Sequence, residues 1–292
     1  MKKINLALFF SNNKGNKIYN YFKKKKLFKI KKVFFGYKYL NSEIPKKFKK
    51  GSYEIIKKID SPKLVQKIKK LNIDFIIIAG FHYILKKDLI YSPKFCTLNL
   101  HSGRVPNYRG GSPLNWQLIN NEKYIYLSVL KVDLGIDTGD VIMQKKFKIK
   151  KHFDIKIVHN IANKEFPKML EKSLLDIYRG ISKPVSQKTL KLINKTYKQR
   201  VPSDGKIFWR KNTNLQIHNL IRALSNPYPG AFSFNQKKKV IFLKSKISKK
   251  NFKIKNYGEV INYKNNIFVK CKNGFLQIIK YKGKLKNNDI LI

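Results

Sequence analysis

At 292 residues, with 42% hydrophobic and 13% aromatic side chains, the chain is long and apolar enough for more than one folded domain. A disordered composition is excluded despite the mean hydropathy of −0.41. The formal charge of +49 alone would indicate a surface for nucleic acid or anionic membranes. Yet only six of the 65 basic residues are Arg (Arg104, Arg109, Arg179, Arg200, Arg210, Arg222), while Lys, Asn, Ile, Tyr and Phe abound. That skew reads as A/T-rich coding more than as selection for a polyanion.

The start, Met1-Lys2-Lys3 and an apolar run over 4–10, superficially resembles a secretory leader but lacks a small-residue cleavage site. It reads as a first buried strand, with Asn12, Asn13 and Gly15 as the turn after it. Further strands are expected at 32–37, 75–79 and 97–100. A helix is expected over 61–71, where Leu64, Ile68 and Leu71 recur behind Ser61-Pro62. The run 75–79 is apolar at every position, as in a central strand covered on both faces. Its carboxyl end, Gly80-Phe81-His82-Tyr83, falls where open α/β sheets bind ligands. After an apolar strand at 127–132 and a turn at 135–139, residues 155–178 read as a long helix. Polar residues 181–200 suit a linker. Beyond Gly205 a helix at 215–224 precedes short strands at 240–243, 258–263, 267–272 and 275–280, the pattern of a small β-barrel or sandwich. The expected fold is α/β, a Rossmann-like mostly parallel sheet with flanking helices, plus a small OB-like β-barrel. The expected division is 1–182, a linker at 183–204, and 205–292. Cys96 and Cys271 have no metal-ligand spacing and no segment reaches membrane-span length, so a reduced cytoplasmic protein without a metal is expected.

Chemistry concentrates at the end of the fourth strand, Leu98-Asn99-Leu100-His101-Ser102. Residues two apart in a strand share a face, so Asn99 and His101 project together. The glycine- and proline-rich run 103–113 after them is a shaped loop able to bring backbone close to a ligand. A lone His at a strand end is ordinarily structural. It gains weight from a second cluster, Asp133-Leu134-Gly135-Ile136-Asp137-Thr138-Gly139-Asp140, which sets carboxylates on a tight turn. Turn formation alone accounts for Asp133 and Asp140.

The pattern Asn99-x-His101, then Pro106-x-Tyr108-Arg109-Gly110, then Asp137-Thr138-Gly139-Asp140, resembles the folate-dependent formyltransferases. The likeness extends to Asp204-Gly205-Lys206-Ile207-Phe208-Trp209 and to Asn226-Pro227-Tyr228-Pro229-Gly230-Ala231-Phe232. It implies that Asn99, His101 and Asp137 form the catalytic set and that 10-formyltetrahydrofolate is the co-substrate. Folate would lie where Phe81, His82, Tyr83, Ile84 and Leu85 meet Leu134, Gly135 and Ile136, its pterin bonded largely to backbone. The apolar residues of 81–85 read equally well as core. In the implied reaction an amine attacks the formyl carbon. Asn99 would then donate to the developing oxyanion, His101 would bond that oxygen or take the amine proton, and Asp137 would hold the imidazole.

Two acceptors suit this resemblance. An amino-sugar nucleotide is favoured by Pro113-Leu114-Asn115-Trp116, and by Ser11-Asn12-Asn13 where methionyl-tRNA formyltransferases carry a Gly-Thr-Pro turn. Tyr108 and Arg109 would then contact base or diphosphate, although Arg109 equally suits bracing the Gly110-Gly111 loop. Methionyl-tRNA is the alternative, to which the basic surface speaks. A homodimer is a further expectation from the sugar-acting enzymes. A third class, a non-enzymatic RNA-binding protein, leaves Asn99, His101 and Asp137 without a purpose.

Overall fold

The computed structural model describes residues 3–37, 48–49 and 51–292. Met1 and Lys2 of the leader-like start lie outside the described residues. The apolar run near the start forms β1 (Ile4–Phe10), and the asparagines after it do not make a simple turn. Asn12 caps α1 (Asn13–Phe22), its side chain accepting from the Lys14 N–H at 3.1 Å. Strands β2 (Phe28–Gly36), β3 (Tyr53–Ile56), β4 (Phe75–Ile78) and β5 (Cys96–His101) follow, with α2 (Ser61–Lys70) and α3 (Lys87–Ile90) between them. Two residues, Arg109–Gly110, form β6; then come α4 (Pro113–Ile119), β7 (Tyr124–Lys131), β8 (Val141–Lys148) and α5 (Ile155–Tyr178). The later chain adds β9 (Thr196–Tyr197), α6 (Asn214–Leu224), β10 (Ala231–Asn235), β11 (Lys238–Ile247), β12 (Val260–Tyr263), β13 (Asn266–Cys271) and β14 (Gly274–Lys282).

The chain divides into two compact units: Met1–Gly110 with Tyr126–Lys146 and Asn160–Thr196, and Gly111–Ile125 with Phe147–His159 and Tyr197–Ile292. Two segments of the expected first domain, 1–182, thus group with the later residues. The main sheet has the order β3-β2-β1-β4-β5-β7-β8. Strands β1 to β5 run parallel, and β7 pairs antiparallel with β5 in the register Asn99↔Leu130 and His101↔Ser128. The order reverses direction between β1 and β4, the kind of switch point where such sheets place ligands. Apolar side chains from both sides of the switch, among them Phe9, Phe34, Ile68 and Ile76, are fully buried in one core cluster. Phe9 and Phe34 stack with centroids 4.5 Å apart.

The second unit holds the antiparallel sheet β10-β11-β14-β13-β12, packed around Trp209, Ile221, Phe242 and Leu276. Its two edges are bridged. Leu291 N–H donates to the Gly258 carbonyl beside β12, while Phe234 and Ile292 exchange backbone hydrogen bonds beside β10. Such bridging satisfies edge groups that an open sheet leaves exposed.

Cys96 and Cys271 are free, buried thiols, and burial pushes them up to about 11 and about 12. Both are therefore expected to resist a thiol reagent at pH 8 in the native state and to react rapidly once denaturant is added, as a colorimetric thiol titration would show. Phe34→Ala removes one ring of the stacked core pair and is expected to cost about 3–5 kcal/mol, read from the shift in denaturant midpoint.

Candidate active site

The candidate site is built at the carboxyl end of β5. Alternation along that strand turns Asn99 and His101 to one face, and the turn after β7 returns beside them. Val132 N–H donates to the Thr97 carbonyl at 2.8 Å and Lys131 N–H to the Asp140 carbonyl at 2.9 Å, which fixes where this turn leaves and rejoins the sheet. Within it the Asp133 carboxylate accepts from the Thr138 hydroxyl at 2.6 Å and the Gly135 N–H at 3.2 Å. Gly139 lies so close to the Lys131 carbonyl that a Cβ there would sit 1.8 Å from its oxygen.

Asp137 occupies the left-handed region at φ 53°, which Asp tolerates better than most residues. Its Oδ1 accepts from Asn99 Nδ2 at 2.9 Å, and its Oδ2 accepts from the Gly110 N–H at 2.9 Å and lies 3.3 Å from His101 Nδ1. His101 is 5% exposed and the Asp137 side chain 11%. The other ring nitrogen, Nε2, is 2.5 Å from the Tyr108 carbonyl oxygen. A carbonyl only accepts, so Nε2 carries the hydrogen and donates. Nδ1 faces the Asp137 carboxylate, which likewise only accepts, so a hydrogen on Nδ1 is donated to Oδ2. Asp133 serves the turn, and Asp140 lends its carbonyl to Lys131.

Residues that sequence reasoning missed complete the support. Gln187, within the expected linker, donates from Nε2 to the carbonyls of Asp137 at 2.8 Å and Gly139 at 2.7 Å. Its Oε1 accepts from Arg109 Nε and Nη2 at 3.0 and 2.7 Å, and Arg109 Nη1 donates to Asn194 at 2.7 Å. Arg109 is thus a brace for the loop, and Tyr108 is buried with its carbonyl turned to His101. Ser128, opposite His101 in the register, donates to the Gly103 carbonyl at 2.7 Å and accepts from Gln144 at 2.9 Å.

The residues expected around folate separate into two groups. Phe81 is half-buried against the core, packing on Phe9 at 5.3 Å, and Leu85 is buried within it. Tyr83 donates its hydroxyl to the Lys57 carbonyl. Ile84, Leu134 and Ile136 are instead 75%, 62% and 55% exposed, and His82 and Gly135 lie on the surface beside them in sequence. Among the described residues no cluster of His, Cys, Asp and Glu could hold a metal, and no helix is long and apolar enough to cross a membrane.

Removing Gln187 would leave two turn carbonyls and the Arg109 fork without their partner, at about 1–3 kcal/mol for a buried unsatisfied group. Gln187→Ala is therefore expected to lower the thermal midpoint and, by loosening Asp137, the turnover as well. Calorimetry with a steady-state assay on the same sample reads both.

Comparison with known proteins fits this geometry. The family model for formyl transferase matches residues 28–182, and that for the formyl transferase C-terminal domain matches 200–288. The chain is 33% identical over 258 residues to the bifunctional polymyxin resistance protein ArnA of Wigglesworthia glossinidia brevipalpis, covering 85% of this chain and 36% of that one. It thus spans about a third of that relative. It is also 33% identical over 227 residues to methionyl-tRNA formyltransferase of Clostridium beijerinckii, covering 77% of this chain and 72% of that one. Among solved structures, the N-formyltransferase of Helicobacter canadensis in complex with folinic acid and dTDP-3-aminofucose superposes with a TM-score of 0.70 at 18% identity, over 96% of this chain and all of that one. HypX of Aquifex aeolicus in complex with tetrahydrofolic acid gives 0.67 at 17% identity, over 99% of this chain and 45% of that one. The chain belongs to the folate-dependent formyltransferase family.

Proposed function

We propose that this chain transfers the formyl group of 10-formyltetrahydrofolate to the amine of an amino-sugar nucleotide, with Asn99, His101 and Asp137 as its reacting set. The observation that carries the reaction is the convergence of Asn99 Nδ2 and His101 Nδ1 on the Asp137 carboxylate. The co-substrate, when bound, supplies an electrophilic formyl carbon; the remaining chemistry falls to these side chains. Asn99 has two amide hydrogens, one given to Asp137, and its second donates to the formyl oxygen as charge builds there. The His101–Asp137 pair takes the proton that the amine loses, the carboxylate balancing the charge on the imidazole, and that proton passes to the folate nitrogen as its bond to the formyl carbon breaks and tetrahydrofolate leaves. The Nε2–H bond to Tyr108 holds the ring for this exchange.

The surface supports a folate-shaped ligand. Ile84, Leu134 and Ile136 expose large apolar side chains on the loops following β4 and β7, and a planar ring laid against them would remove that area from water. Backbone groups of 81–85 and 134–137 would bond the pterin edge.

Support for the sugar acceptor comes from Pro113-Leu114-Asn115-Trp116 and from the fold shared with an N-formyltransferase solved with dTDP-3-aminofucose. The charge of +49 and the 33% identical tRNA-acting relative favour methionyl-tRNA as the second reading. Arg109 acts in either case through the loop it holds, because its guanidinium is engaged within the chain, and Tyr108 is buried with its carbonyl on His101. Incubation with 10-formyltetrahydrofolate and each acceptor class decides between them. Tetrahydrofolate release is expected with amino-sugar nucleotides; release with charged methionyl-tRNA alone would overturn the sugar reading. Asn99→Ala is expected to lower kcat by about 10²–10³-fold, as for loss of one oxyanion donor. His101→Ala is expected to lose about 10²–10⁴-fold. Normal turnover in both variants would sink the assignment of the reacting set.

A further inference from the structure

Lysine is so common in this chain that any single one is poor evidence, and Lys17 and Lys23 at α1 are exposed in the ordinary way. Lys14 behaves differently. It stands in the first turn of α1, where a cation opposes the helix dipole, and helix formation gives no reason to place it there. Its side chain is only half-buried, but its ammonium is turned inward, 5.1 Å over the ring of Phe166. There it donates to the Leu100 carbonyl at 2.9 Å and to the Ser102 hydroxyl at 3.4 Å. These two residues flank His101. Burial lowers the amine to about 8, and the Asp137 carboxylate acts against that shift, so the two charges feel each other. A cation enclosed at such cost, against its helix dipole, marks a local conflict of the kind found at functional positions.

We propose that Lys14 is a positioning residue for formyl transfer: its ammonium ties down both residues flanking His101 and balances the charge of Asp137, holding imidazole and carboxylate in reacting register. Lys14 does not touch the reacting atoms. It acts through His101 and Asp137, and the inference rests on the reading of those residues given above. A displacement of about 1 Å at the reacting groups can cost on the order of 10²-fold in rate. Binding of the co-substrate, which depends on the loops 81–85 and 134–137, is left nearly intact.

The test uses the full chain with an acceptor that the unaltered chain formylates, comparing Lys14→Met, Lys14→Arg and His101→Ala by steady-state kinetics, with thermal midpoints to confirm folding. Lys14→Met is expected to lower kcat by about 10–10²-fold, with KM for 10-formyltetrahydrofolate within about threefold. Lys14→Arg, which keeps the charge and the donors, is expected to recover most of that loss. A Lys14→Met turnover within twofold of the unaltered chain, beside an inactive His101→Ala, overturns the role of Lys14 and leaves the reacting set standing. A loss confined to KM, or an Arg variant that folds normally yet is no faster than the Met variant, overturns it equally. A fully active His101→Ala overturns both readings. Should Lys14→Met fail to fold, Lys14→Gln takes its place, with the same outcomes deciding.

Discussion

One carboxylate organises the site. Asp137 receives Asn99, His101 and the Gly110 N–H on its two oxygens while its own backbone is held in the left-handed region. A non-glycine residue in that conformation costs about 1–2 kcal/mol, and it persists only where its surroundings determine it. They do so here from two sides. Within the turn, Asp133 binds Thr138 and Gly135, and Gly139 closes against the Lys131 carbonyl. From outside, Gln187 caps the carbonyls of Asp137 and Gly139. The carboxylate is therefore oriented before any ligand arrives, which is what preorganised electrostatic catalysis needs.

The sheet explains how residues 38 apart in sequence meet. Strand β7 runs antiparallel to β5, so the chain leaves β7 beside Thr97, in the amino-terminal half of β5, and the turn folds back along that strand until Asp137 stands beside Asn99 and His101. An antiparallel strand ends opposite the start of its neighbour, so it is the return of the turn that brings Asp137 to the residues at the carboxyl end of β5. The same pairing sets Ser128 opposite His101, and the Ser128 hydroxyl holds Gly103, the start of the loop whose Tyr108 carbonyl receives the imidazole. Sheet register, loop and ring orientation are consequently one continuous set of hydrogen bonds.

Period-two alternation was sufficient to put Asn99 and His101 on one face, apolar runs were sufficient to find β1 and β4, and the span 155–178 read as the helix it forms. Other elements were hidden by the lysine-rich composition. Strand β8, Val-Ile-Met-Gln-Lys-Lys-Phe-Lys, carries exposed lysines at its far end and shows no clean alternation. Strand β3 has four residues at a sheet edge, too short for a period to register. At α1 the signals conflicted, because an asparagine that caps a helix looks the same in sequence as one that makes a turn. Apart from the resemblance nothing in the sequence separated Asp137 from Asp133 and Asp140, since all three have turn-compatible spacing and the backbone conformation decides which carboxylate points at the strand. Gln187 carried no signal at all. A polar residue in a polar segment becomes legible only when its partners are known.

The arginines, rare in this chain, sort the charge into background and structure. Arg109 grips Gln187 and Asn194; Arg222 donates to Asn219 and to the Phe153 carbonyl; Arg200 donates to the Asp204 carbonyl and lies 4.6 Å over Trp116; Arg104 lies 5.0 Å over Tyr126. Each uses a planar, multi-donor or stacking geometry that an ammonium reproduces poorly. At these four positions the chain keeps a guanidinium, while most of its exposed cations are lysine. A surface selected to grip a nucleic-acid backbone would be expected to retain arginine for phosphate oxygens, yet these four are committed within the fold. The large positive charge is therefore weak testimony for an RNA acceptor, and an inward-turned ammonium such as that of Lys14 stands out against it.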